Sequence, residues 1–293
     1  MHENVPTDRV LRDDWDGLPY YKPDANGHVW NNDYFGGDLE GIRSKLDYLQ
    51  DLGVTCIYLN PIFESHENHR YNTANYRNVD PLLGTNEDFQ QLCADAKKRG
   101  ISVILDGVFS HTGADSIYFN KFNRYPTLGA YQSEKSPYYS WYHFWGNKEY
   151  EAWWGIDTLP DVNENNPDYT QYICGDDGVL DYWISLGAAG YRLDVADELP
   201  DEFLDRLNKC VKKHGKEKIV IGEVWEEQGK LRRKATVLAG QSARQRDELP
   251  IPGSHHQLYQ GSFSAAVPAL DYYYFGELSE VYGGCLDELC FYA

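Results

Sequence analysis

The spacing of apolar residues along the chain predicts an alternation of helices and strands. Leucine and isoleucine recur three or four positions apart over 39–52, which predicts a helix. Gly53 ends it, and the apolar run 54–59 follows as a strand. The same order returns with a helix that begins after Thr85 and ends at Gly100, and a strand over 101–109. This second strand is apolar throughout, which is typical of a strand covered on both faces.

The alternation stops near residue 110 and resumes near residue 167. The segment 110–166 is rich in Tyr, Trp and Pro and is too long for a plain connection, so we expect a small inserted subdomain. Its aromatic residues could stack on sugars, but most are expected to build the core of that subdomain. Beyond it, the pattern predicts elements in the order helix, strand, helix, strand, over 168–187, 190–195, 201–214 and 219–225.

Three of the predicted strands end in an acidic residue, namely Asp106, Asp194 and Glu223. Strands that alternate with helices are expected to be parallel, and parallel strands bring their carboxyl ends to one edge. The pattern therefore predicts an α/β fold of the β/α-barrel type, with carboxylates on the rim where such barrels carry their chemistry.

Arg192 and Asp194 lie two positions apart on one strand and so point to the same face, and Glu223 ends the next strand. Cleavage of a glycosidic bond with retention needs one carboxylate as nucleophile and one protonated acid, about 5–5.5 Å apart. We expect Arg192 to keep Asp194 ionised, and the apolar neighbours of Glu223 to keep it protonated. A purely structural buried ion pair between Arg192 and Asp194 explains the spacing equally well.

Asp106 and His111 flank a four-residue segment at another strand end. There, His111 could donate a hydrogen bond to a sugar hydroxyl and Asp106 could orient Arg192. Taken alone, the pair is more typical of a helix cap and a loop histidine.

The composition narrows the classes of partner. The chain has 27 Lys and Arg against 46 Asp and Glu, a net charge of −19, which disfavours nucleic acid and anionic membranes as partners. The six cysteines show no metal-binding spacing and are expected to be reduced thiols. No segment approaches a membrane span, and the polar start does not resemble a signal peptide, so a cytoplasmic location is expected.

Short strings along the chain resemble signature regions of the α-amylase superfamily. DGVFSH at 106–111, GYRLDVADE at 190–198 and GEVW at 222–225 resemble its first three regions, in the same order and at similar spacing. LPDVN at 159–163 and HRYNTANY at 69–76 resemble the neopullulanase, cyclomaltodextrinase and maltogenic amylase branch. The resemblance implies a retaining hydrolase of α-glucans that acts on α-1,4 and also α-1,6 bonds of maltodextrins, cyclodextrins or pullulan.

The resemblance also implies individual roles. Asp194 would be the nucleophile and Glu223 the general acid/base. The residues implied to contact the substrate, or to support those that do, are Tyr71, Asp106, His111, Arg192 and Glu198. A Ca²⁺ site is implied near Gly36 and Asp38, although their turn is equally typical of a helix start; no other cofactor is implied.

Relatives in this superfamily place one barrel strand before the region that matches this chain and three strands, with a third catalytic Asp, after it. We therefore expect an incomplete (β/α)8 TIM barrel, and a chain that could lack activity. Its expected parts are barrel over 1–109, inserted subdomain over 110–166, barrel over 167–230 and an atypical tail over 231–293. Over 234–260 a reading frame shifted by one base permits family-like sequence, so we expect the tail to be frameshifted.

Two other functions fit the same strings. One is a non-catalytic relative that binds carbohydrate or a protein, as in the heavy chains of amino-acid transporters, although the catalytic pair is present here. The other is a transglycosylase of the same superfamily. The oligomeric state is left open by the sequence.

Overall fold

The computed structural model describes residues 9–14, 16–20, 22–25, 29 and 31–224. The strands are β1 (Val10–Leu11), β2 (Asp33–Tyr34), β3 (Cys56–Leu59), β4 (Phe63–Ser65), β5 (Thr73–Val79), β6 (Ser102–Gly107), β7 (Gly190–Leu193) and β8 (Ile219–Gly222). The helices are α1 (Leu39–Arg43), α2 (Leu46–Asp51), α3 (Asn86–Lys98), α4 (Pro167–Cys174), α5 (Val179–Ser185) and α6 (Asp201–Lys212).

A parallel four-stranded sheet in the order β3-β6-β7-β8 forms the centre of the fold. These are the four strands that the apolar pattern predicts, so that prediction is confirmed. The register pairs Asp106 with Arg192 and Leu193 with Gly222. The last residues of three neighbouring strands therefore meet at one edge. Within the described residues the sheet is open and does not close into a barrel.

Two predicted helices agree with α3 and α6, and each of the other two is divided into two helices. Thr85 caps α3, with a reciprocal capping box to Asp88, as predicted. The helix expected over 39–52 is two helices, because the Ser44 hydroxyl donates to the Gly41 carbonyl at 2.7 Å and competes with continuation of the backbone pattern. The helix expected over 168–187 is also two, divided at 175–178, where Asp177 has a φ of 59°.

The antiparallel hairpin of β4 and β5 is absent from the sequence predictions. Its register shifts on both sides of Glu64, and buried residues do not alternate strictly along β5. A pattern of period two is therefore weak in this segment. The connection between the two strands carries Tyr71 towards the edge of the central sheet.

The segment 110–166 contains only two short 3₁₀ helices, at Tyr139–Trp141 and Trp153–Gly155, with isolated bridges. It shares one hydrophobic core with the sheet and helices. The ring of Trp141 lies 5.1 Å from that of Tyr169 on α4, and Ile117 N donates to Ala74 O of β5 at 3.0 Å. Trp141 and Tyr142 are buried, in agreement with the packing role expected for most aromatic residues of this segment.

No helix in the described part of the chain is long and apolar enough to cross a membrane. Cys56, Cys93, Cys174 and Cys210 are free thiols. Cys285, Cys290 and the tail over 231–293, including the segment expected to be frameshifted, lie outside the described residues.

We predict that Gly190→Ala destabilises the protein by more than about 2 kcal/mol, since the new methyl group would overlap backbone atoms of Ile219 in β8. Gly53→Ala is the matched control: Gly53 also has a positive φ, 86°, but nothing lies within 4 Å of the position of a Cβ. It should cost about 1 kcal/mol, from backbone strain alone. Urea unfolding measures both, and equal losses would contradict close β7–β8 packing as the reason for Gly190.

Candidate active site

One guanidinium lies at the centre of the acidic edge of the sheet. Arg192 Nη1 donates to Asp106 Oδ1 at 2.9 Å, to Asp106 Oδ2 at 2.8 Å and to Asp194 Oδ1 at 2.9 Å. Its Nη2 lies 2.8 Å from Glu223 Oε2. Three strand ends thus place three carboxylates around a single cation, and Asp106, Arg192 and Asp194 are all buried.

Two tyrosines complete this group. Both hydroxyls donate to Asp106 Oδ2, Tyr71 at 3.3 Å and Tyr58 at a short distance. Their ring centroids lie 6.0 Å and 5.9 Å from the carbon of the Arg192 guanidinium, a cation–π arrangement. Tyr58 is missed by the sequence analysis because it stands in an apolar strand and reads as core. Tyr58 on β3 and Asp106 on β6 project from the same face of the sheet. That shared face is the one signal that could have indicated the role of Tyr58.

The turn after β7 fixes Glu223. Val195 N donates to Glu223 Oε2 at 3.0 Å, and Ala196 N donates to Glu223 O at 2.8 Å. Val195 has a φ of 41°, a conformation that costs a β-branched residue about 1–3 kcal/mol and is concentrated at functional sites. The strained turn therefore holds the side chains of Asp194 and Glu223 on the same arginine.

The electrostatics differ from those expected. Burial raises the pKa of Asp194, and the negative charges of Asp106 and Glu223 add to this rise, whereas Arg192 lowers it without compensating. Burial raises the pKa of Asp106 as well. We expected Glu223 in apolar surroundings, but it contacts Arg192. The structure therefore does not separate the two carboxyl groups by environment, because one cation serves all three.

His111 lies beside this group and is buried. Its Nδ1 is 2.9 Å from Ser110 Oγ, and its ring centroid is 5.0 Å from that of Trp153. Burial lowers the pKa of His111 to about 4, so the imidazole is neutral at physiological pH. Its Nε2 makes no hydrogen bond of normal geometry to the described residues. The backbone of Tyr71 lies nearby and partly opposes the fall in the pKa of His111. A neutral ring with one such nitrogen suits a hydrogen bond to a ligand.

Glu198 lies in a neighbouring cluster and not at Arg192. Its Oε2 accepts from Trp153 Nε1 at 2.7 Å, and its Oε1 accepts from Trp154 Nε1 at 3.0 Å. These two tryptophans are not among the predicted site residues, because the sequence gives no signal that distinguishes them from the packing aromatics around them.

Near the implied calcium site, the Asp38 side chain is engaged within the protein. Asp38 Oδ1 accepts a hydrogen bond from Gly41 N at 2.7 Å and caps α1. Among the described residues, no group of three His, Cys, Asp or Glu side chains is arranged to hold a metal ion.

The residues 12–235 match the family model described as "Alpha amylase, catalytic domain". An amylopullulanase of Thermoanaerobacterium saccharolyticum is 44% identical over 228 residues, which cover 71% of this chain and 18% of that protein. A cyclomaltodextrinase of Thermoanaerobacter pseudethanolicus is 37% identical, with 66% of this chain and 34% of the relative covered. An intracellular maltogenic amylase of Bacillus subtilis is 35% identical, with 66% and 32% covered.

A solved structure of cyclic α-maltosyl-(1→6)-maltose hydrolase from Arthrobacter globiformis superposes with a TM-score of 0.63 at 30% identity, covering 76% of this chain and 47% of that one. A parallel sheet with acidic strand ends around an arginine, together with these matches, defines an α/β domain of the α-amylase catalytic type. The chain belongs to the α-amylase family. It spans about a third or less of the length of the curated relatives named above.

We predict that Asp194→Asn raises the melting temperature at neutral and alkaline pH by roughly 5 °C or more, since the variant has no buried charge to ionise. The pKa of Asp194 is raised from 3.8 to about 8 on folding. The folded state therefore binds the proton more tightly, and ionisation destabilises it progressively as the pH rises through this window. The gain should be absent near about pH 4 and complete above about pH 8.

Asp157→Asn is the control for this experiment, since the Asp157 side chain is 79% exposed and lies 3.4 Å from Lys121. Differential scanning calorimetry across pH should show no comparable gain for it. A melting temperature for Asp194→Asn that falls at every pH would show that the carboxylate stabilises the fold as an ion pair.

Proposed function

We propose that this chain carries the nucleophile and the acid/base residue of a retaining glycosidase that acts on α-linked glucans. The observation that supports this most directly is the contact of Asp194 and Glu223 with the same Arg192 guanidinium, 2.9 Å and 2.8 Å away. Two carboxyl groups that contact one guanidinium lie near each other, as a pair that flanks a single glycosidic bond must.

The proposed reaction has two steps. Asp194 attacks the anomeric carbon, the bond from that carbon to the leaving oxygen breaks, and Glu223 gives its proton to that oxygen. Glu223 then takes a proton from water, the water oxygen attacks the same carbon, and Asp194 is released. Each step inverts the configuration at the anomeric carbon, so the two steps together retain it.

The reaction needs one proton in the site, and the Arg192 cluster, which consists of Arg192, Asp106, Asp194 and Glu223, explains why the site binds one. Three carboxylates around one guanidinium in a buried site repel one another, and the pKa values of Asp106 and Asp194 are raised. Uptake of one proton relieves this repulsion. We propose that, with substrate bound, this proton is the one that Glu223 gives to the leaving oxygen.

The surrounding residues would bind and orient the sugar. We propose that the Tyr71 ring and the Nε2 of His111 contact the glucosyl unit on the non-reducing side of the cleaved bond. Asp106 would hold Arg192 in place through its two hydrogen bonds and so keep Asp194 oriented. Each of these groups lies at the carboxyl end of the sheet or in the adjacent connection.

The names of the relatives support maltodextrins, cyclodextrins and pullulan as the substrate class.

We infer that the four parallel strands belong to a (β/α)8 barrel, with barrel segments at 1–109 and 167–230 and an inserted subdomain at 110–166. A cytoplasmic location is supported by the relative named as intracellular. Product analysis on maltose and cyclodextrin separates hydrolysis from transglycosylation.

We predict that Asp194→Asn abolishes cleavage of maltodextrin and that Glu223→Gln slows it by about 10²–10⁴-fold. With α-maltosyl fluoride, whose leaving group needs no proton, Glu223→Gln should still release fluoride in the first step, whereas Asp194→Asn should not. Reducing-sugar and fluoride release measure the two reactions.

The control is Glu217→Gln, an exposed carboxyl group just before β8, which should leave both rates unchanged. If Asp194→Asn cleaved maltodextrin at the unaltered rate, the proposed nucleophile would be wrong. If Glu223→Gln lost fluoride release as completely as maltodextrin cleavage, its role as proton donor would be wrong.

A further inference from the structure

Three rings in contact, His111 tilted against Trp153 and Trp153 stacked on Trp154, form a row that runs outward from the site. The buried ring of His111 lies 5.0 Å from Trp153, and Trp153 lies 5.0 Å from Trp154 at an interplanar angle of 16°. His111 is 1% exposed and Trp154 is 77% exposed. The row therefore connects the interior of the proposed site with an indole that presents its outer face to solvent.

A single carboxylate holds the two tryptophans in register. Glu198 uses one oxygen for each indole N–H, at 2.7 Å and 3.0 Å. Glu198 is itself placed one turn after Asp194, with its N–H donating to Val195 O at 2.9 Å. The polar edges of both indoles are therefore occupied, and what Trp154 offers to a ligand is an apolar ring face.

The backbone at Trp154 is strained. Its φ is 51°, a left-handed conformation that is unfavourable for a residue with a large side chain. Strain of this kind persists where the surroundings enforce it, and here the enforcement is the Glu198 clamp and the stack on Trp153. An exposed indole fixed by strain and by a dedicated carboxylate differs from an exposed apolar side chain of the ordinary, scattered type.

A polar cleft adjoins this platform. Trp153 and Glu198 line it together with His143, Glu151 and Asp161. An apolar ring face beside acceptors for hydroxyl groups matches the two kinds of surface on a glucosyl unit, its C–H face and its hydroxyl rim.

We propose that Trp154 forms a sugar-binding platform for a glucosyl unit other than the one that is cleaved, and that Glu198 is a positioning residue which fixes the platform and does not itself contact the reacting atoms. This rests on the proposed function and extends it, since it gives Glu198 a role through the tryptophans. Trp145 is also exposed, at 65%, and no carboxylate in the described part of the chain accepts from its indole N–H, so it serves as the matched comparison.

The test measures binding of maltoheptaose by isothermal titration calorimetry in the full chain carrying Asp194→Asn, which keeps the ligand intact. We predict that Trp154→Ala weakens binding about tenfold, the loss expected for one stacked ring, and that Trp154→Phe restores most of it. Trp145→Ala should bind like the parent. Glu198→Ala should weaken binding as Trp154→Ala does and should remove the circular-dichroism exciton couplet of the stacked tryptophans.

Several outcomes would overturn the inference. Binding by Trp154→Ala as tight as that of the parent would exclude the platform, and a retained couplet in Glu198→Ala would exclude the clamp. A separate result concerns the function itself: if the unsubstituted chain neither bound nor cleaved any maltodextrin or cyclodextrin, the proposed function would fail, and this inference with it. Folding of every variant is checked by its unfolding transition, and Trp154, being exposed, should not alter it.

Discussion

The site depends on the sharing of one guanidinium by three carboxylates in a place with little water. Arg192 contacts Asp106, Asp194 and Glu223 at 2.8–2.9 Å. In solvent such an arrangement would contribute little, but burial strengthens both the attraction and the repulsion. The attraction orients three strand ends on one cation, and the excess negative charge favours binding of a proton. The geometry of the site and its acid chemistry therefore arise from the same group of atoms.

The sheet register makes this arrangement possible. Asp106 on β6 pairs directly with Arg192 on β7. Leu193, the next residue of β7, pairs with Gly222 at the end of β8, so Glu223 follows immediately beyond that strand. Gly190 permits the close pairing of β7 and β8, since a side chain there would meet the backbone of Ile219. A shift of one residue would turn the acidic groups to the other face of the sheet. The positive φ of Val195 turns the chain after β7, so that the Ala196 N–H reaches the carbonyl of Glu223 at 2.8 Å.

Much of this could be predicted from the sequence because the strands have strong, simple patterns. An apolar run followed by an acid identified the ends of β6, β7 and β8, and Thr85 identified the start of α3. The β4–β5 hairpin could not be predicted, since its register shifts remove the alternation. Tyr58 and the Trp153–Trp154 pair were missed because their contacts join residues distant in sequence. The sequence also could not show which carboxyl group is ionised. The pKa of Asp194 depends on the negative charges of Asp106 and Glu223, which only the folded structure brings near it.

The central claim is that Asp194 attacks the sugar from a position shared with Glu223. The most direct measurement is to trap the covalent intermediate with a fluorinated α-glucosyl fluoride, digest the protein and locate the label by mass spectrometry. We expect one glucosyl group, attached to the carboxylate of Asp194. A label on Asp106 or Glu223, or turnover of substrate with no label on any carboxylate, would contradict it.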